Sequence, residues 1–193
     1  MELNEAIEQR RATRDYTDQP LDKSTIMGLL RAAVWAPSAM NLQPWAFLVV
    51  QDRSALHRFS DAAKGHLLST IVPSSPLANY RAMLTDRAFE IFYGAPTLIV
   101  VCTDGSPSTE ATHATEDCCL AAENLMLAAH ATGLGSCWIG FARPWLSTEA
   151  AKADLAMPKN WVPVAPIIVG HPRQAPPPSP RKAPSVIWYE PGS

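Results

Sequence analysis

The chain has 193 residues, 47% apolar and 18% charged, with a formal net charge of -2. That balance suits one domain, or one subunit of an oligomer, and excludes general disorder, which needs low hydrophobicity and high net charge. With 16 Lys+Arg against 18 Asp+Glu there is no basic field for nucleic acid, and no apolar run approaches the roughly 20 residues that span a bilayer.

In chain order, residues 3–11 can form a short helix with Leu3 and Ile7 on one face. A second helix is predicted over 23–35, with Asp22 as N-cap and Ile26, Leu29, Leu30 and Ala33 as its apolar stripe. Pro37 stops it, because the residue before a proline is pushed out of the helical region. WAFLVVQ at 45–51 reads as a buried strand. Asp52 can then cap a helix over 54–64, and residues 65–80, holding Pro73 and Pro76, read as irregular. A helix is predicted over 77–92. TLIVVCT at 97–103 is the strongest strand, β-branched and bounded by Pro96 and Asp104-Gly105.

Residues 116–132 read as a long helix ended by Gly133. CCLAAENLMLAAHA is apolar nearly all round, so it should be buried on most faces, at the centre of a monomer or at a dimer interface. A short strand fits 136–139, a helix 147–156 and a strand 164–169. Nine of the 18 prolines follow residue 162, and 176–184 should be extended polyproline-like chain reaching about 28 Å. It ends in the apolar VIWY, which suits an arm that docks better than a free tail. No repeat or second-domain linker is present. The N-terminus is polar and lacks a signal-peptide core, and Cys102, Cys118, Cys119 and Cys137 show no metal spacing. The expected compartment is therefore the cytoplasm.

No conventional catalytic set is found. Five scattered histidines form no HExxH, there is no GxSxG, and Gly133-Leu134-Gly135 lacks the third glycine of a dinucleotide fingerprint because position 138 is Trp. An enzyme built this way would draw its reactivity from a cofactor. Four segments look specialised. Arg10 and Arg14 make a guanidinium pair suited to phosphate or another anion, or else a solvated helix end neutralised by Asp15 and Asp18. The loop PSAMNLQPW, fixed by Pro37 and Pro44, carries Ser38, Asn41 and Gln43, which can hold a polar heterocycle or satisfy their own backbone. Gly133, Gly135 and Gly140 around a short strand allow close backbone approach to a flat ligand, or tight packing on the preceding helix. Arg181-Lys182 in the stiff arm can carry positive charge to a distant site, or merely solubilise the tail.

RRATR followed by Tyr16, PSAMNLQPW, AAENLMLAAHATGLGSCWIG and GHPRQAPPPSPRKAP, in this order over nearly the whole chain, resemble the FMN-dependent nitroreductase family. The resemblance implies an α+β fold, a sheet flanked by helices, as one domain over 1–193. It implies an intertwined homodimer in which 171–193 is an arm lying on the partner subunit. It implies FMN at the interface and NADH or NADPH as donor. Hydride would pass in two steps, first to FMN and then to a nitroaromatic, quinone or similar small acceptor. Other branches reduce enones, remove halogens or dehydrogenate, and a flavin-binding dimer without turnover is a further alternative. By position, cofactor contacts are expected from Arg10, Arg11, Ala12 and Arg14. Others are expected from Pro37, Ser38, Ala39, Met40, Asn41 and Gln43, from Cys137, Trp138, Ile139 and Gly140, and from Arg181 and Lys182. Arg10 and the Arg181/Lys182 pair would bind the phosphate, and Arg14 would support the reduced ring. A backbone N–H within 138–140 would face flavin N5. Ala12 stands where the family usually has Ser, and Ile139 where some relatives carry Glu. Arg87 is a local candidate for a further cation, and Tyr80 and Arg81 for a substrate lid.

Overall fold

The computed structural model describes residues 1–105 and 113–190. Four strands, Trp45–Val50 (β1), Thr97–Thr103 (β2), Gly135–Trp138 (β3) and Val162–Gly170 (β4), form one antiparallel sheet in the order β1-β2-β4-β3. β2 is buried at every position, as its continuous apolar run requires. Its pleat divides it: Leu98, Val100 and Cys102 enter one core while Ile99 and Val101 enter the other. The first core is closed by helices Arg53–Thr70 (α3) and Arg143–Leu146 (α6). The second is closed by Lys23–Ala33 (α2) and Ala114–Ala131 (α5). The result is the expected α+β arrangement of a sheet between helices.

Local chemistry explains the boundaries. Asp22 and Asp52 cap α2 and α3, accepting hydrogen bonds of 2.6 Å from the Thr25 and Ala55 backbone N–H groups. α5 ends in a Schellman turn: Gly133 (φ 79°) donates to the His130 carbonyl and Leu134 to that of Ala129. β4 is a central strand with two prolines, normally excluded there for want of an N–H. Pro163 sits where the register slips, with Val101 opposite Ala165 and Cys102 opposite Pro163. Pro166 still serves as an acceptor, taking the Ile139 N–H at 2.7 Å.

Several boundaries differ from expectation. α3 runs through 65–70, expected to be irregular, because Ala63 and Leu67 continue its buried stripe. The helix expected over 77–92 is a 3-10 turn, Pro76–Tyr80, and one short helix, Arg81–Thr85 (α4). The helix expected over 147–156 is confined to Glu149–Asp154 (α7), with a helix of four residues, α6, ahead of it. α5 is not buried on most faces within one chain. The sheet, α2 and the N-terminal helix Leu3–Gln9 (α1) cover one broad side and leave Leu120 46% exposed. The tail is extended, and its apolar end does not dock on its own chain: Ile187 is 96% and Trp188 83% exposed. Residues 191–193 of the expected arm lie outside the described residues. Among the described residues no helix is long and apolar enough to cross a membrane, and no His/Cys/Asp/Glu group could hold a metal.

Candidate active site

The N-terminal segment crosses the open edge of β3. Ala12 bridges Ser136, the Thr13 N–H donates to the Ser136 carbonyl at 3.0 Å, and Tyr16 bridges Pro172 just beyond β4. The Tyr16 hydroxyl donates to the Thr13 carbonyl at 2.8 Å, closing the segment on itself. Two glycines make room for the crossing. A Cβ on Gly135 would stand 2.5 Å from Thr13 Oγ1, and one on Gly170, directly across the β3–β4 ladder, 2.6 Å from Pro96 and 2.9 Å from the Tyr16 ring. The crossing fixes Arg14 between two anchored residues.

Arg14 lies at a cavity of about 380 Å³ lined also by Cys137, Trp138, Ile139, Gly140 and Phe141, and by Ile91 and Tyr93. One wall is therefore the glycine-flanked strand end and the other comes from the segment before β2. The 3-10 turn 76–80 borders it through Leu77, and Tyr80 packs edge-on against Phe141 at 5.4 Å. Tyr80 thus touches a cavity-lining residue without lining the cavity itself, and Arg81 and Arg87 are exposed and do not line it.

The backbone narrows one expectation. Ile139 spends its N–H on Pro166, so it is not a free donor to a ligand. Trp138 and Gly140 remain as candidates within 138–140, Trp138 because strand alternation turns its N–H away from β4.

Positive charge gathers beside this wall. Burial pushes the Cys137 thiol up, and the guanidinium groups of Arg14 and then Arg10 act against that shift. Arg10 lies 3.8 Å from Glu123. Arg11 donates to the Glu8 and Arg10 carbonyls, while its buried Nε has no hydrogen-bond partner among the described residues. His130 is held below the usual imidazole range, first by burial and then by Arg10 and Arg11. Two neighbouring guanidinium groups, with a buried donor left unsatisfied among the described residues, suit an added anion.

The loop 37–43 is strained and self-bonded. Met40, Asn41 and Gln43 are all left-handed, at φ 50°, 55° and 51°. The Ala39 N–H donates to both oxygens of the buried Asp117 carboxylate at 3.2 Å, tying the loop to α5. Ser38 Oγ accepts from the Gln43 N–H, and the Gln43 amide donates to Asn41. Within one chain these side chains satisfy the loop itself. Asn tolerates the left-handed region, so the strain rests on Met40 and Gln43, and Met40 is 83% exposed. None of Arg10, Arg11 and Ala12, of Pro37 to Gln43, or of Arg181 and Lys182 lines the cavity; Arg181 donates to the Ser179 and Pro180 carbonyls.

Sequence reasoning missed Tyr93, whose signal was the Gly94-Ala95-Pro96 punctuation after it. The segment holding Tyr93 is stapled from α3. Buried Lys64 donates to the Phe89 carbonyl at 2.6 Å and the Asp86 carbonyl at 3.3 Å, and Ser60 accepts from the Ile91 N–H. Lys64→Met should lower stability by about 1–3 kcal/mol, the range for losing charge-assisted hydrogen bonds to part-buried carbonyls. Urea unfolding followed by circular dichroism measures it, and an unchanged midpoint would show that the staple contributes nothing.

A second hollow, about 510 Å³, lies between α2 and the end of α5, but no arginine borders it. The described architecture has parallels. The nitroreductase family model matches residues 7–171. A protein of Methanothermobacter thermautotrophicus, provisionally named NADH dehydrogenase/NAD(P)H nitroreductase, is 31% identical over 176 residues, 91% of this chain and 80% of that one. The nitroreductase of Bacteroides fragilis, solved with bound FMN, is 26% identical with a TM-score of 0.83, covering 98% of this chain and all of that one. That of Desulfitobacterium hafniense, also solved with FMN, is 23% identical with a TM-score of 0.82 over 98% of this chain, a likeness of fold.

Proposed function

The chain belongs to the nitroreductase family, and on that premise we propose that it is an FMN-dependent NAD(P)H oxidoreductase of small electrophilic acceptors, working as a homodimer. The observation that carries this reading is the meeting of Arg14 with the strand end 137–140 in one largely apolar cavity. The residues fit the cofactor. Trp138, Ile139 and Gly140 offer a wall for a flat ring, and Arg10 and Arg11, with its unsatisfied Nε, offer positive charge for a phosphate. When bound, FMN supplies the redox chemistry, taking hydride from NADH or NADPH and passing it to a nitroaromatic, a quinone or a similar acceptor. Arg14 keeps positive charge at the cavity, the Trp138 or Gly140 N–H offers a hydrogen bond to the ring, and Tyr80 and Phe141 limit entry of water.

The dimer completes the site. The strained loop 37–43 and Arg181/Lys182 are directed to the partner's cofactor, and 171–193 is the arm that carries the basic pair there. Supporting this, Trp35 is 85% exposed, and Met40, Leu120, Ile187 and Trp188 lie on the surface of a single chain, where a partner subunit could cover them.

The test is a visible spectrum of the purified protein before and after anaerobic NADH, then NADPH. Flavin bands that bleach are the expected result and identify the donor. Failure to take up FMN would overturn the cofactor assignment. A yellow protein bleached by neither donor would favour a flavin-binding dimer without turnover.

A further inference from the structure

Arg14 differs from the other arginines of the N-terminal region in how it is held. Arg10 faces Glu123, and Arg173, across from it in the fold, pairs with Asp15 at 3.2 Å. Arg14 makes no ion pair among the described residues, and its guanidinium carbon instead sits 5.9 Å from the centre of the Tyr93 ring. That ring is braced in turn: Phe89 meets it edge-on at 5.6 Å and 81°. Tyr93 also borders the cavity.

The backbone under Tyr93 is unusual. Its φ is 52°, and Gly94 follows at 65°. A bulky aromatic residue is a genuine outlier in the left-handed region, where Gly or Asn would sit without strain. The surroundings enforce the conformation. The Tyr93 N–H donates to the Glu90 carbonyl, and Lys64 and Ser60 fix the residues just before it. Strain of this kind, enforced from outside and located at a cavity wall, points to a requirement for the side chain.

We propose that Tyr93 is the positioning residue for Arg14, its ring holding the guanidinium over the cavity without neutralising it. This rests on the functional reading above and adds a residue to it. A carboxylate partner would fix Arg14 equally well but would cancel its field. An aromatic face attracts the cation through its quadrupole and leaves the full charge for the ligand. If Arg14 favours the reduced, more negative flavin, Tyr93 serves that same preference through Arg14.

The test measures the midpoint potential of the bound flavin, by equilibration with reference dyes, in FMN-loaded wild type, Arg14→Ala, Tyr93→Phe and Tyr93→Asn. Asn tolerates the left-handed turn, so the backbone is retained while the ring is lost. Tyr93→Gly is the second ring-less variant should the first fail to fold. Removing the ring should move the equilibrium about tenfold toward oxidised flavin, ~30 mV for a two-electron couple. Arg14→Ala should move it the same way, and the double variant Arg14→Ala/Tyr93→Asn no further than Arg14→Ala alone. Tyr93→Phe, which keeps the ring face, should restore the wild-type potential. The inference is overturned by a wild-type potential in the ring-less variants, by additive shifts in the double variant, or by a Tyr93→Phe shift as large as Tyr93→Asn. A wild-type protein that takes up no FMN overturns the functional reading and this inference together. Bound flavin with a shifted Arg14→Ala and a silent Tyr93→Asn overturns this inference alone.

Discussion

Gly135→Ala should yield a protein that folds with reduced stability and binds FMN at least about tenfold more weakly, ~1.4 kcal/mol. The added methyl meets Thr13 at three atoms, with Oγ1 at 2.5 Å and Cβ and Cγ2 at 2.7 Å. Thr13 cannot turn aside. It is β-branched and 3% exposed, its N–H is bonded to Ser136, and its carbonyl receives the Tyr16 hydroxyl. The strain must therefore move backbone, and the backbone that moves carries Arg10, Arg11 and Arg14. Overpacking of this kind costs about 1–3 kcal/mol of stability, read from urea unfolding, while the affinity is read from quenching of FMN fluorescence. The double variant Thr13→Gly/Gly135→Ala removes the obstructing side chain and should recover much of the affinity. Full affinity in the single variant would show that the crossing of the N-terminal segment over β3 does not place the cofactor.

What could be read from sequence, and what could not, follows from the range of each interaction. β2 was legible because burial on both faces imposes a continuous apolar run, and the caps Asp22 and Asp52 because an N-cap acts three residues away. The Arg10–Arg14 segment and the strand end 137–140 were legible as motifs, and the fold brings Arg14 and 137–140 to one cavity. The misread helix over 77–92 shows the limit. Its pattern suits a helix, but tertiary partners claim the backbone groups a helix would use. Lys64 takes the Asp86 and Phe89 carbonyls, Ser60 the Ile91 N–H, and the Asp86 side chain the Ala88 N–H. Tyr93 escaped notice for the same reason, since its importance lies in a contact with a residue 79 positions away. The roles proposed for loop 37–43 and for Arg181/Lys182 are less legible still, because a single chain brings neither to the cavity.

Arg14→Ala should slow flavin reduction by NADH about ten- to hundredfold, roughly 1.4–2.7 kcal/mol of barrier, while weakening FMN binding much less. The reasoning is differential. In the proposed site, binding of the oxidised cofactor would draw on several groups: the wall at 137–140, the Arg10 and Arg11 corner and, in the proposed dimer, the loop and arm of the partner. Arg14 is one contributor among these, and an exposed one. Negative charge grows on the ring only during reduction, and a fixed cation nearby acts on that growth in full. Arg14 is suited to this because it is anchored on both sides, by the Thr13–Ser136 bond and the Tyr16–Pro172 bridge, and so needs no reorganisation as the charge develops. Arg14→Lys keeps the charge but loses the planar group that rests on Tyr93, and should fall between the two. Stopped-flow absorbance at the flavin band, under anaerobic conditions, separates the rate from the affinity. Equal reduction rates in wild type and Arg14→Ala would remove Arg14 from the chemistry and leave it a surface cation. A rate loss that tracks the loss of bound FMN would assign it to cofactor retention alone.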